Sequence, residues 1–142
     1  MNDFIAGLYD PWFNYELYKP LLDGVYNGYD FQKIGISLIV ISIIGLFLFY
    51  KPWDPIQKPR FKWFTTLVII GIITAITIYS IIINNGEILQ LLGNYSGDIG
   101  EANPQYFIFQ MSIITILYSL VVSFILSIPV KFISVSNKNN PF

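Results

Sequence analysis

Ser112, Thr115, Ser119, Ser123 and Ser127 follow one another at intervals of three, four, four and four residues. At about 3.6 residues per turn, this spacing lays five small hydroxyls along one side of a helix whose other sides are Ile, Leu, Val and Phe. Such a stripe could supply a nucleophile, line a polar pore, or bring helices together. A serine becomes a nucleophile only beside a base that takes its proton. The chain has no histidine, and residues 106–130 contain no Asp, Glu, Lys or Arg. No GxSxG, HExxH, Walker lysine or CxxC occurs either. Helix pairing is the chemistry the stripe predicts, because small side chains let backbones approach and hydroxyls bridge them. A polar pore wall is the alternative.

Two further groups repeat the pattern. Gly35, Ser42 and Gly45 lie seven and three residues apart, and Gly71 and Ala75 lie four apart with Thr74 and Thr77 alongside. Each group is predicted to be a face where another helix approaches closely. For a subunit of an assembly, these faces are expected to be buried against other chains. Gln110 is the amide most deeply placed in an apolar run, and it reads as an interhelical hydrogen bond.

The elements that carry these faces are apolar throughout. The chain is 54% hydrophobic and only 12% charged, against about 25% charged in soluble domains. Its apolar residues come in three blocks, each able to cross a hydrocarbon core of about 30 Å at about 1.5 Å per residue. The predicted architecture is an all-α integral membrane protein with transmembrane helices at residues 31–50, 63–83 and 106–130. It forms a single membrane domain over 1–142: an aromatic, acidic interfacial segment (1–30), the three-helix bundle (31–130) and a polar cytoplasmic tail (131–142). No basic leader precedes an apolar core at the start, so the first span is expected to act as the insertion signal.

Charge sets the expected orientation. Residues 1–33 hold five acids against Lys19 and Lys33, a balance of −3; Lys51, Lys58, Arg60 and Lys62 against Asp54 give the first connection +3. The second connection carries Glu87, Asp98 and Glu101 without a base, and the tail carries Lys131 and Lys138. Short basic connections stay cytoplasmic, which places the N-terminus outside and the C-terminus in the cytoplasm. The fitting location is a bacterial cytoplasmic (inner) membrane, with an organelle inner membrane as the alternative.

The first thirty residues are crowded with aromatics. Asp10 and Pro11 supply a cap and a first-turn proline, predicting a short interfacial helix over 11–18 that Pro20 interrupts. Trp12, Phe13, Tyr15 and Tyr18 there, with Trp53 and Trp63 at the basic connection, are expected to anchor the chain at headgroup depth. A partner-docking surface is the alternative for this segment. Glu87 to Leu92 is expected to add a short apolar turn on the same side.

Ion-coupled carriers and voltage sensors place ionisable groups at membrane depth. The three spans have none away from their ends. Absent cysteine and histidine remove disulfides and the usual haem, copper and zinc ligands. The expectation is a non-enzymatic protein without cofactor or metal, structural lipids aside, and without nucleic acid as partner. Its partners are other membrane protein subunits and the lipid bilayer. The expected role is a non-catalytic small subunit of a larger membrane complex, anchoring or assembling through helix packing; a homo-oligomeric channel lined by the third span's stripe is the alternative.

Overall fold

The computed structural model describes residues 1–50, 59–97, 101–130 and 132. Lys51, Trp53, Lys58, Lys131 and the tail from 133 onward lie outside the described residues. The chain forms helices α1 (Asn2–Tyr9), α2 (Tyr15–Asn27), α3 (Asp30–Tyr50), α4 (Pro59–Ile83), α5 (Gly86–Asn94) and α6 (Pro104–Val130), with a 3-10 turn at Asp10–Trp12. There is no strand among the described residues. Helices α3, α4 and α6 are long and apolar enough to cross a membrane, so this is a multi-pass membrane protein.

The spanning helices start earlier than the hydropathy blocks indicate, because two prolines taken for connection residues open helices instead. Proline at a first helical position has no N–H to lose and a dihedral already set for the helix. Pro59 begins α4 in this way. Pro104 begins α6 just after Asn103, whose Oδ1 accepts from the backbone N–H groups of Gln105 at 2.9 Å and Tyr106 at 3.2 Å. Helix α6 therefore has 27 residues, about 40 Å at about 1.5 Å each, longer than a hydrocarbon core of about 30 Å requires.

The N-terminal region differs more. In place of one helix over 11–18 there are two, α1 before Asp10 and α2 after Asn14. Asn14 caps α2 by accepting from Glu16 N at 3.1 Å. Pro20 sits inside α2 rather than ending it. The carbonyl it deprives of a partner belongs to Glu16, an exposed residue where water substitutes. Between α2 and α3, Tyr29 adopts a left-handed φ of 54°, which turns the chain sharply into the first span.

Helices α3, α4 and α6 pack pairwise around one axis, α4 against α6 most extensively, while α1, α2 and α5 gather as a cap at one end. Outward positions such as Ile43, Phe47, Ile69, Ile76, Val121 and Ile125 stay exposed, an apolar belt suited to acyl chains. Hydroxyls in that belt are occupied: Thr65, Thr77 and Ser80 donate to carbonyls four residues back, at 2.9 to 3.0 Å. Inside, one apolar cluster joins the cap to the upper bundle through Phe31, Ile78 and Phe107. A second, around Leu46, Phe49, Leu67 and Ile70, fills the end nearest the α3–α4 connection.

Gly45 lets α3 and α4 meet, since a Cβ there would lie 2.5 Å from Cγ1 of Ile70. Ile70 belongs to the lower cluster and could withdraw only by giving up contacts there. Gly45→Ala is expected to destabilise by about 1–3 kcal/mol through overpacking. Gly7, exposed in α1 with nothing within 4 Å, is expected to gain about 0.5–1 kcal/mol on replacement by Ala. Thermal unfolding in mild detergent, followed by helical circular dichroism, should show the two alanines moving the midpoint in opposite directions.

Candidate functional site

The predicted stripe of α6 is present, and it faces inward. Ser119, Ser123 and Ser127 are the fully buried residues of α6 beyond Thr115, so contact with α3 and α4 over that half of the helix is centred on serines. Ser123 and Ser42 share a hydrogen bond of 2.9 Å between their hydroxyls. Ser112 and Thr115 return theirs to the carbonyls of Ile108 at 2.9 Å and Met111 at 2.8 Å, and Ser127 donates to Phe124 O at 2.7 Å. Ser119 Oγ is buried with no hydrogen-bond partner among the described residues. Over these residues the helix pairing expected of the stripe is made with α3 and α4 of the same chain. Three short connected helices can close on one another, and a hydroxyl stripe carries no mark of whose backbone it will meet.

The other small residues divide by neighbour. Gly71 packs under Ile116 of α6, whose Cγ2 lies 3.2 Å from the position of an added Cβ, and Ala75 beside it is half-buried. Gly35 meets Ile5 and Met1 rather than a spanning helix; Ile5 Cδ1 would be 2.9 Å from its Cβ. That glycine is the seat for α1. Thr74, buried at the centre of α4's inner face with its hydroxyl on Ile70 O at 2.7 Å, plays the part expected of its neighbours.

The cap is fastened by polar bonds at both ends of α1. Tyr9 OH lies 2.6 Å from Thr115 Oγ1, and burial holds its phenol well above the usual tyrosine range, so it stays protonated. Trp12 Nε1 donates to Tyr118 OH at 2.8 Å, and Tyr118 in turn donates to Leu8 O. At the other end, Asn2 donates to Tyr26 O at 3.0 Å and accepts from Gln32 N at 3.1 Å. Exposed Tyr26 donates to the Asp3 carboxylate, the main cause of its raised pKa. Phe13 and Tyr18 close over Phe107 with ring centroids 4.9 and 5.8 Å away. Of the expected membrane anchors, then, Phe13 is interior and Tyr18 half-buried, while Trp12 and Tyr15 stay exposed. Trp63 meets Phe124 edge-on at 6.1 Å. Arg60 is exposed and Lys62 partly so at the far end of α4.

Beside the cap, a cleft of about 680 Å³ opens between the ends of α3 and α4. Asp30, counted in the sequence only among the five acids of residues 1–33, is central there. Its carboxylate is almost wholly buried, with Lys33 Nζ at 2.6 Å on one oxygen and the Asn85 amide on the other. Asn85 also donates to Gly24 O at 3.0 Å and caps α5 by accepting from Glu87 N at 2.9 Å and Ile88 N at 3.2 Å. One side chain thus joins α2, α3 and α5. The signal was the Asn84-Asn85-Gly86 turn, which shows a cap but not its distant partners. Lys33, Ser80, Asn84 and Glu87 complete the rim. The cleft offers hydrogen bonds and charges of both signs. No group of three acids is placed to hold a metal among the described residues. No family model, curated protein or solved structure matches the chain.

Ser119→Ala is expected to be neutral or slightly stabilising, since it removes a buried hydroxyl with no hydrogen-bond partner among the described residues. Ser123→Ala and Ser42→Ala, combined in a double-mutant cycle of unfolding, should couple by about 0.6 kcal/mol, a usual value for hydroxyl pairs in membranes. Asn85→Ala should cost about 2 kcal/mol or more, from the lost helix cap and a buried carboxylate left with one partner. Gly28→Ala should do similar damage, because its Cβ would lie 2.4 Å from Asn85 Nδ2.

Proposed function

We propose that this chain is a non-catalytic small multi-span subunit of a larger membrane protein complex, anchoring or assembling it through the cap. It sits in a bacterial cytoplasmic membrane with the N-terminus and cap outside and the α3–α4 connection in the cytoplasm. The observation that carries this reading is the chemistry of the cap's outer surface. Phe4, Trp12, Tyr15, Tyr26 and Tyr29 are exposed there among the exposed acids Asp3, Asp10, Glu16, Asp23 and Glu87. Rings surrounded by polar groups are the usual make-up of a protein interface. The acids also speak against a purely lipid-facing role, since interfacial helices that bind anionic membranes carry bases. A basic partner surface is the complementary match.

The groups fixed inside the bundle are spent on holding it together. Each polar side chain of the α6 stripe meets its own chain, and the ionisable groups of the spans lie in their first turns. This favours a structural role over proton or ion movement along the bundle axis. A channel lined by the stripe would need α6 to leave α3 and α4, so that alternative loses its motivating feature. The anchoring task instead falls to faces outside the spans' mutual contacts.

Two measurements test the proposal. Tagged protein extracted in mild detergent is expected to elute with other membrane proteins. Glu16→Lys combined with Asp23→Lys should release them without lowering the unfolding midpoint, as both side chains are exposed. Recovery of a monodisperse 16.3 kDa monomer from native membranes would sink it. Because the chain lacks cysteine, Tyr15→Cys should react with an impermeant maleimide from outside intact cells, and Arg60→Cys only after permeabilisation.

A further inference from the structure

The charges around the polar cleft do not balance. Asp30, Lys33 and Glu87 line the space of about 680 Å³ between the cap and the neighbouring ends of α3 and α4, and Lys33 is committed to the buried Asp30 carboxylate at 2.6 Å. The Glu87 carboxylate is exposed and takes no hydrogen bond or ion pair among the described residues. One negative charge is left over. The neutral groups beside it present acceptors: Thr77 and Ser80 give their hydroxyl protons to Ile73 O at 2.9 Å and Ile76 O at 3.0 Å. Asn84 turns its Nδ2 to Ser80 O at 2.7 Å, which leaves its Oδ1 unbonded. A carboxylate among hydroxyl and amide oxygens selects a ligand that carries both positive charge and N–H donors.

The position of the cleft says where that cation comes from. Lys33 and Ser80 are exposed on the outside of the bundle, so the cleft opens sideways between α3 and α4. Ile36 and Val40 follow Lys33 along α3 at helical spacing, Ile76 and Ile73 follow Ser80 back along α4, and all four are exposed. A polar cleft at the ends of two spans that continues into an apolar seam fits an amphiphile, its head in the cleft and its chains along the seam. We propose that the cleft binds the headgroup of an aminophospholipid of the phosphatidylethanolamine class from the cap-side leaflet, with its primary ammonium on Glu87 and Asn84 Oδ1. Lys33 keeps two N–H groups beyond its bond to Asp30, which suit the headgroup's phosphate. Of the exposed acids of the cap, Glu87 alone lines this cleft among the described residues, so the site is tested without changing Glu16 or Asp23.

The full chain in mild detergent, titrated with phosphatidylethanolamine, phosphatidylcholine or phosphatidylglycerol of identical acyl chains, provides the test. Native mass spectrometry should retain one phosphatidylethanolamine. Thermal unfolding should show greater stabilisation by it than by phosphatidylcholine, whose quaternary nitrogen has no N–H, or by phosphatidylglycerol, which has no cation. Glu87→Gln should weaken phosphatidylethanolamine binding about fivefold, the upper range for one exposed ion pair, and leave that of phosphatidylcholine unchanged. Ser80→Trp, which fills the mouth of the cleft, should remove the bound lipid, whereas Val121→Trp on the exposed face of α6 should not. Equal binding of the three lipids by the unaltered chain, or indifference to Glu87→Gln, would overturn the proposal. So would equally tight binding of glycerophosphoethanolamine, the same head without chains, which would make the ligand a soluble amine. Quantitative cross-linking of Ser80→Cys to another polypeptide in native membranes would also overturn it, by putting a protein side chain in the cleft.

Discussion

The close approach of α6 to α3 and α4 along Ser119, Ser123 and Ser127 is the contact on which the remaining structure rests. In a bilayer, lipid tails are as apolar as leucine, so helices gain little from hiding apolar surface from water. What holds them is short-range dispersion, which falls away within an ångström of poor fit. Serine on α6, Gly45 on α3 and Gly71 on α4 bring the backbones near enough for that attraction to act over whole helix faces. The hydroxyls then have either a helix carbonyl or one another to bond, as Ser123 and Ser42 do. Ser119, buried without a hydrogen-bond partner among the described residues, fits a position chosen for size more than polarity.

The cap is a consequence of that bundle. Tyr9 and Trp12 can reach Thr115 and Tyr118 only because α6 lies close beside α3, leaving a shallow seat floored by Gly35 for α1. The extra length of α6 gives Phe13 and Tyr18 a surface, Phe107, to close over. Asn85 then ties the second connection to the first through Asp30 and Gly24. Removing Asn85 would leave the start of α5 uncapped and the buried Asp30 carboxylate with Lys33 alone. Cap and spans are therefore one mechanical body, and a force applied to the cap is delivered to the membrane helices.

This coupling gives the proposed role its physical content. An anchor has to hold its outward surface in a fixed relation to the bilayer, and here hydrogen bonds and stacked rings do so at both ends of α1. The polar groups inside are engaged in that task, so the surface left for recognition is the ring of acids and aromatics outside.

How much of this was legible depends on which forces leave a local trace. Three spans, their approximate ends and the small-residue faces could be read directly, because crossing lipid demands about twenty apolar residues and close packing demands Gly, Ala, Ser or Thr. Pro59 and Pro104 were misplaced since a proline marks an interruption equally well before a helix and within a connection. Pro20 was over-weighted, as its cost falls on one exposed carbonyl. The spans are apolar on every side, so hydropathy could not say which partner a serine face would take. Only the tertiary arrangement decided that the stripe closes on its own chain, that Phe13 turns inward, and that Asp30 and Asn85, 55 residues apart, share a hydrogen bond. Those are contacts between distant segments, and they depend on the angle at which helices meet, a quantity no single residue encodes.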